Sequence, residues 1–414
     1  MYFLSFSNII DFLNVMEKVF RWSCLIGVMG SRRYICYFWS AFLLIVLLIM
    51  EFQATWKVIK ALAGWAVDTA GQRSVTARLK GTIFYTISIL SLILASKLCK
   101  SWRQLSVLWA RVERLMVVKA PPDRTLKMRM YFVVAFMTTC ALLEQILSII
   151  SAIGLDCPPS LILKRYVLIS HGFMILRHEY SDWYPFPLVF MSTIATLLGN
   201  FQDQLIILFS MGLTSRYQRL NQCLAKVCEL EKQQGDSENI NDATKVYTWR
   251  KLREAYVKQA MLVRKVDASI GGMIILSCFG NFYFICLQLF LGITQGKSSE
   301  SITTAFYFVS LGWLIVRMLS VVLAASDINV QSREALRHIY TYNTHCYNVE
   351  VGRLQHQLSK DFVALSGMGF FYLSKTVLLQ MTGAIITYQL VLIQFDDKGI
   401  DVEQLNMTKN AIGT

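Results

Sequence analysis

Seven stretches of this chain are so long and apolar that a water-soluble fold could not hide them all. A helix crossing a bilayer needs about 20 mostly apolar residues. Residues 35–56, 81–98, 131–155, 185–211, 270–293, 302–324 and 376–395 come close to or exceed that length. Charge points the same way. Only 16% of the 414 residues are charged and 55% are hydrophobic, whereas a soluble domain carries about 25% charged residues. The expected fold is an all-α membrane protein with seven transmembrane helices. No soluble domain separates out, and no internal repeat is visible, which argues mildly against many secondary transporter folds.

Lysine and arginine placement sets the orientation, because cytoplasmic loops collect these residues. Residues 1–36, 97–129, 213–266 and 325–376 share one side of a seven-span chain and hold 29 of them; the opposite segments hold nine. The N-terminus is therefore expected in the cytosol and the C-terminus outside, the reverse of G-protein-coupled receptors. The net charge of +14 sits mostly in loops between apolar segments, which is a membrane pattern and gives no support to nucleic-acid binding. Asn406-Met407-Thr408 is a glycosylation sequon, usable only on a lumenal tail; chance occurrence explains it equally well.

The ten cysteines show no CxxC. Cys36, Cys99, Cys140, Cys278 and Cys286 lie in or beside apolar runs, where a free thiol serves as a small buried hydrophobe. No disulfide or zinc framework is expected, and Cys157 stands alone on the outer face. Residues 5–20 read as an amphipathic helix, not a cleavable leader. Five domains follow: an amphipathic cytosolic segment (1–34), a six-helix bundle with cytosolic helical loops (35–324), cytosolic anchor helices (325–375), a last membrane helix (376–395) and an extracellular tail (396–414). Residues 213–235 extend the fourth span, Gly235 to Asn239 break it, and a helix resumes at Thr244. Such projecting helices need cover, from each other or from another subunit.

Polar side chains inside spans are functional candidates by default. Here they are Glu144 and Gln145 in span three, Asn200, Gln202 and Asp203 in span four, Asn281, Tyr283 and Gln288 in span five, and Tyr307, Trp313 and Arg317 in span six. Interhelical hydrogen bonding is the more ordinary role of such side chains. Asp203 and Arg317 are opposite in charge and lie towards the cytosolic half, so a buried ion pair is expected. In the outer loop, His171, His178, Glu179, Asp182, Trp183 and Tyr184 lack metal-ligand spacing and read better as an interfacial belt. No metal or cofactor is expected. GxSxG, HExxH and Gly-rich phosphate loops are absent, so an enzyme is not expected.

The seventh segment differs from the others. Ser366-Gly367-Met368-Gly369 permits a sharp turn before it. Thr387, Val391, Gln394 and Phe395 then fall along one helical stripe. A hydroxyl, an aliphatic and an amide–aromatic pair suit a narrow conduit, with Phe395 dewetting it when closed. An ordinary helix end with interfacial Tyr388 and Phe395 has the same pattern.

Thr387-Tyr388, five mostly apolar residues and Gln394-Phe395 form a signature that resembles the insect gustatory receptors. The likeness extends to Val363-Ala364-Leu365-Ser366-Gly367, Ala325-Ser326-Asp327-Ile328-Asn329, Asn281-Phe282-Tyr283-Phe284 and Asn200-Phe201-Gln202-Asp203, and is nearest to the sugar-sensing subfamily. The N-terminal segment is shorter than that subfamily leads one to expect. The resemblance implies a plasma-membrane receptor that assembles as a homotetramer, alone or with other gustatory receptor subunits, around one cation pore. Thr387, Val391, Gln394 and Phe395 would line and gate that pore. A sugar would bind in the outer half of each subunit's bundle, with Glu144, Asn200, Asp203, Asn281, Tyr283, Gln288, Tyr307 and Trp313 as candidate contacts. Amides and carboxylates suit its hydroxyls, and aromatics suit its C–H face. A gustatory channel for bitter compounds or carbon dioxide, or a metabotropic receptor without a pore, remains the alternative.

Overall fold

The computed structural model describes residues 3–29, 34–63, 75–114, 123, 125–154, 158, 161–170, 183, 185–233, 242–294, 301–341, 348–391 and 394. Cys157, His171, His178, Glu179, Asp182, Tyr184, Phe395 and Asn406 lie outside the described residues. In chain order the helices are α1 (Phe3–Trp22), α2 (Tyr34–Leu62), α3 (Val75–Arg114), α4 (Leu126–Ile153), α5 (Ile162–Ser170), α6 (Pro185–Gln233), α7 (Asp242–Thr294), α8 (Ser301–Tyr340), α9 (Val349–Lys360) and α10 (residues 375–391). Among the described residues there is no strand, only an isolated bridge between Ser366 and Tyr372. Six helices, α2, α3, α4, α6, α7 and α8, are long and apolar enough to cross a membrane. The seventh segment forms α10. The short α5, between α4 and α6, had no signal in the sequence.

Apolarity and burial run opposite to a soluble protein. In α2 the most apolar window has a mean hydropathy of 2.3 and is 28% buried; in α6 the value is 1.2 and 78% is buried. Lipid solvates apolar faces, so the most apolar helices go outside. The helix carrying Asn200, Gln202, Asp203, Gln204 and Ser210, all buried, goes to the middle. There α6 packs on α3, α4, α7 and α8.

Four of the helices outreach the bilayer. At 1.5 Å per residue, α6 is about 73 Å long and α7 about 80 Å, against a hydrocarbon core of about 30 Å. Their extensions cover one another. Trp249 of α7 is fully buried and donates its indole N–H to Glu231 of α6 at 3.0 Å. Tyr256 donates to Asn221 Oδ1 at 2.7 Å, and Asn221 donates to the Gln331 carbonyl of α8 at 2.8 Å. Arg253 pairs with Glu350, which brings in α9 at 2.8 Å. The expected anchor region is less continuous than its composition suggested. α8 ends at Tyr340, α9 covers only Val349–Lys360, and residues 361–374 are extended or turn. That last piece is a tight hairpin. Asp267 accepts from Ser366 N at 2.6 Å and Ser366 Oγ at 2.8 Å, while Leu373 N reaches Leu365 O at 2.8 Å. Met368 and Gly369 take positive φ at its tip.

At the same end, α1 lies against α3, α4 and a 3-10 turn, Ser23–Ile26. Phe12 stacks on Trp109 with centroids 4.4 Å apart. Its ring occupies the space a Cβ on Gly212 would need. The cysteines depart from expectation: Cys24 and Cys36 form a disulfide, because the 3-10 turn brings Cys24 beside the first turn of α2, with Cα atoms 6.1 Å apart. Cys99, Cys140, Cys223, Cys228, Cys278 and Cys286 are free.

Gly212→Val should drive a side chain into the Phe12 ring, costing about 1–3 kcal/mol and lowering the thermal midpoint of the purified protein. Gly312→Ala, where a Cβ meets open space, should leave it unchanged or raised.

Candidate functional site

Helix α6 buries a carboxylate, and its neighbours supply the partners. Asp203 is fully buried. Its Oδ2 accepts from Arg317 Nη2 at 2.7 Å and Nε at 2.9 Å. Its Oδ1 accepts from Ser277 Oγ at 2.5 Å, and Asn281 Nδ2 reaches Oδ2 at 3.3 Å. Three helices, α6, α7 and α8, are thereby pinned at one level. Nearby, Gln202 accepts from Ser91 at 2.5 Å and donates to the Met273 carbonyl at 3.0 Å, which adds α3 to the network.

A cavity of about 180 Å³ opens beside this cluster, walled by α3, α4, α6, α7 and α8. Of the candidate contacts, Glu144, Asn200, Asp203, Asn281 and Gln288 line it. Glu144 accepts from Ser310 at 2.7 Å, and Gln288 donates to the Tyr307 carbonyl at 3.2 Å. Asn200 Oδ1 and Asn281 Oδ1 are buried and accept nothing. Their amide nitrogens are spent on the Thr196 carbonyl at 2.9 Å and on Asp203. Two idle acceptors in one cavity are unusual, because buried polar atoms are nearly always hydrogen-bonded.

Tyr283, Tyr307 and Trp313 do not line the cavity. Tyr283 stacks on Phe279 and meets Phe284 edge-on. The Tyr307 ring lies over Gly292. Trp313 is buried against Phe136, with its N–H unpaired. The aromatic wall is instead Phe84, Phe284 and Phe306. Also in the lining, but absent from the candidate contacts, are Lys80, Ser148, Thr196, Ser277 and Ser310. Small hydroxyls in spans carry little signal. Lys80 had one, since it shares a helical face with Phe84, Ile87 and Ser88.

The last helix is fastened to the same walls. Gln389 Nε2 donates to the Cys286 carbonyl at 2.6 Å, and Ile385 packs with Ile285, Leu314 and Met318. Thr387, Val391 and Gln394 are exposed on the other side. Among the described residues no group of three His, Cys, Asp or Glu side chains could hold a metal ion.

Asp203→Ala should strand the Arg317 guanidinium in the bundle and cost about 3–5 kcal/mol. The pair Asp203→Leu with Arg317→Met should recover most of that loss in the thermal midpoint of detergent-purified protein.

The family comparison agrees with this architecture. Residues 10–404 match the trehalose receptor family model. The chain is 33% identical over 332 residues to gustatory receptor 5a for trehalose of Drosophila melanogaster, covering 77% of this chain and 70% of that one. Against gustatory receptor for sugar taste 64a of the same fly it is 28% identical over 331 residues, covering 77% and 69%. In fold it is similar to the insect olfactory receptor OR5 from Machilis hrabei, with a TM-score of 0.63 at 13% identity, covering 93% of this chain and all of that one. The chain belongs to the trehalose receptor family, a family of sugar gustatory receptors in the cell membrane.

Proposed function

We propose that this chain is the subunit of a sugar-gated, non-selective cation channel, with seven membrane helices per subunit and four subunits around one pore. The observation that carries the ligand assignment is the pair of idle acceptors, Asn200 Oδ1 and Asn281 Oδ1, in a cavity that also presents Glu144 and Gln288. A polyol supplies the missing O–H donors, and Phe84, Phe284 and Phe306 offer flat faces to its C–H side. A disaccharide such as trehalose, named for one relative, fits that chemistry.

Gating follows from shared walls. Asn281 and Ser277, on α7, meet the cavity, and Cys286, less than two turns further along, holds Gln389 of α10. At the other end of that span, Asp267 grips the hairpin from which α10 starts. A sugar that draws α7 towards α6 moves α10 at both ends. Binding opens the pore only so far as sugar contacts improve in the open state. Thr387 and Val391 of α10 are exposed, as a helix lining a shared aqueous path requires. Phe395 would complete the gate, and Asn406 the extracellular tail.

The cytosolic N-terminus rests on the 29-to-9 distribution of basic residues. The Cys24–Cys36 disulfide pulls against it, since such bonds are rare in a reducing cytosol; one pair weighs less than an excess of 20 basic residues, 29 against nine.

Glu144→Ala should shift sugar activation to about tenfold higher concentration, a loss near 1.4 kcal/mol, with surface expression intact. An unmoved dose–response curve would take Glu144 out of the site. Val391→Cys, recorded with the chain alone in liposomes, should become sensitive to a thiol reagent that blocks current only while sugar is present, and Ile385→Cys should not. Current indifferent to the reagent at 391 would remove α10 from the pore.

A further inference from the structure

On the outside of the bundle, α3 and α7 pack against each other and run antiparallel, since Leu94 meets Gly272 and Ile87 meets Gly280. On α3 the exposed residues Leu90, Ile93, Lys97 and Lys100 fall along one helical face. On α7 the exposed residues Lys265, Ala268 and Phe279 share a face with Gly272. Both stripes therefore change from apolar to basic towards the same end of the bundle. At 1.5 Å per residue, Lys97 and Lys100 lie about 5 and 9 Å past Leu94, and Lys265 lies about 10 Å past Gly272 in the same direction. Among the described residues none of the three lysines has a carboxylate partner. The acids close to them in α7 and after α9 are engaged elsewhere: Asp267 holds Ser366, and Asp361 takes Arg264.

An exposed apolar face within a span is solvated by acyl chains, and basic side chains at its end reach the headgroup level. Here two such faces lie side by side, and their basic ends present three ammonium groups with no internal counter-charge. Basic recesses between membrane helices hold anionic headgroups. We infer that the α3–α7 seam is a docking surface for one anionic phospholipid, its chains along Leu90, Ile93 and Phe279 and its phosphate among Lys97, Lys100 and Lys265. A soluble anion would answer the lysines but leave the apolar half of both stripes without a role. The leaflet rests on the orientation proposed above, which places this end in the cytosolic leaflet, where anionic lipids concentrate. The hairpin tip sits on the same seam, with Met368 packed on Gly271 and Gly272. A lipid held there would also bear on the segment from which α10 starts.

The test is thermal unfolding of the detergent-purified full-length protein at constant ionic strength, titrated with dioctanoyl phosphatidylserine, dioctanoyl phosphatidylcholine or inorganic phosphate. The serine lipid should raise the midpoint saturably by roughly 2 °C or more beyond the choline lipid, and phosphate should not. Lys97→Gln, Lys100→Gln and Lys265→Gln together should abolish that difference. Arg250→Gln, Arg337→Gln and Lys360→Gln together, which remove the same charge from exposed positions on α7, α8 and α9, should leave it. Equal midpoints in the two lipids, or a difference that survives the lysine substitutions or is lost as fully in the control, overturns the surface. A rise reproduced by phosphate means a free-anion site and overturns the lipid. The readout needs neither sugar nor current, so its failure leaves the channel reading intact, and a silent channel leaves this surface intact. Should the lysine variant fail to fold, the wild-type series still decides.

Discussion

A carboxylate buried in the middle of the bundle organises everything around it. Asp203 can remain there only because Arg317, Ser277 and Asn281 turn towards it from two neighbouring helices. Charges taken out of water need this kind of complete partnering, or they destabilise. The requirement puts α6 at the centre, presses α7 and α8 against it, and leaves α2 and α4 to face lipid. The cavity is a by-product of the same arrangement. Polar helices brought together around one ion pair do not fill the space above it, and the surplus amide oxygens of Asn200 and Asn281 are left facing that space.

Much of this was legible from residue order. Long apolar runs show where a chain must cross lipid, and all six spans of the expected bundle appear as helices at the expected places. The continuation of spans four and five as long helices was visible too, because mixed apolar and charged residues ran on without a breaker until Gly235. Asp203 and Arg317 announced themselves as opposite charges at matching depth. What residue order could not show was the direction a side chain takes around its helix. Trp313 and Tyr283 had aromatic rings suited to a C–H face, yet they point into helix contacts, and Phe84, Phe284 and Phe306 line the cavity instead. Ser277 and Ser310 were invisible because serine is common in membrane helices. The Cys24–Cys36 bond was missed for a different reason. A 3-10 turn reverses the chain between them, and nothing in the composition of residues 23–26 demands that turn.

Helix α7 links three things that are far apart in chemistry. Its C-terminal part carries Asn281 and Gln288 into the cavity and holds Gln389 of α10. Asp267, at the N-terminal end of that span, fixes the hairpin through Ser366. Beyond the span, Trp249, Arg253 and Tyr256 tie it to α6, α9 and, through Asn221, to α8. A helix so heavily fastened does not bend locally. In the proposed channel, contacts at one level would be transmitted as movements of the whole rod, and a small ligand would act on a distant helix in that way.

The unbroken length of α6 has a mechanical corollary. From Asp203 to Gln233 it runs about 45 Å without a Pro or Gly other than Gly212. A swing of roughly five degrees about the ion pair sweeps its far tip through nearly 4 Å by that same rise. The lever works in reverse as well, so on the proposed reading whatever grips the tip would set how readily the cavity end of the bundle yields to a sugar. In the proposed receptor, taste sensitivity would therefore drift through substitutions in the far extensions of α6 while every residue of the cavity stays the same.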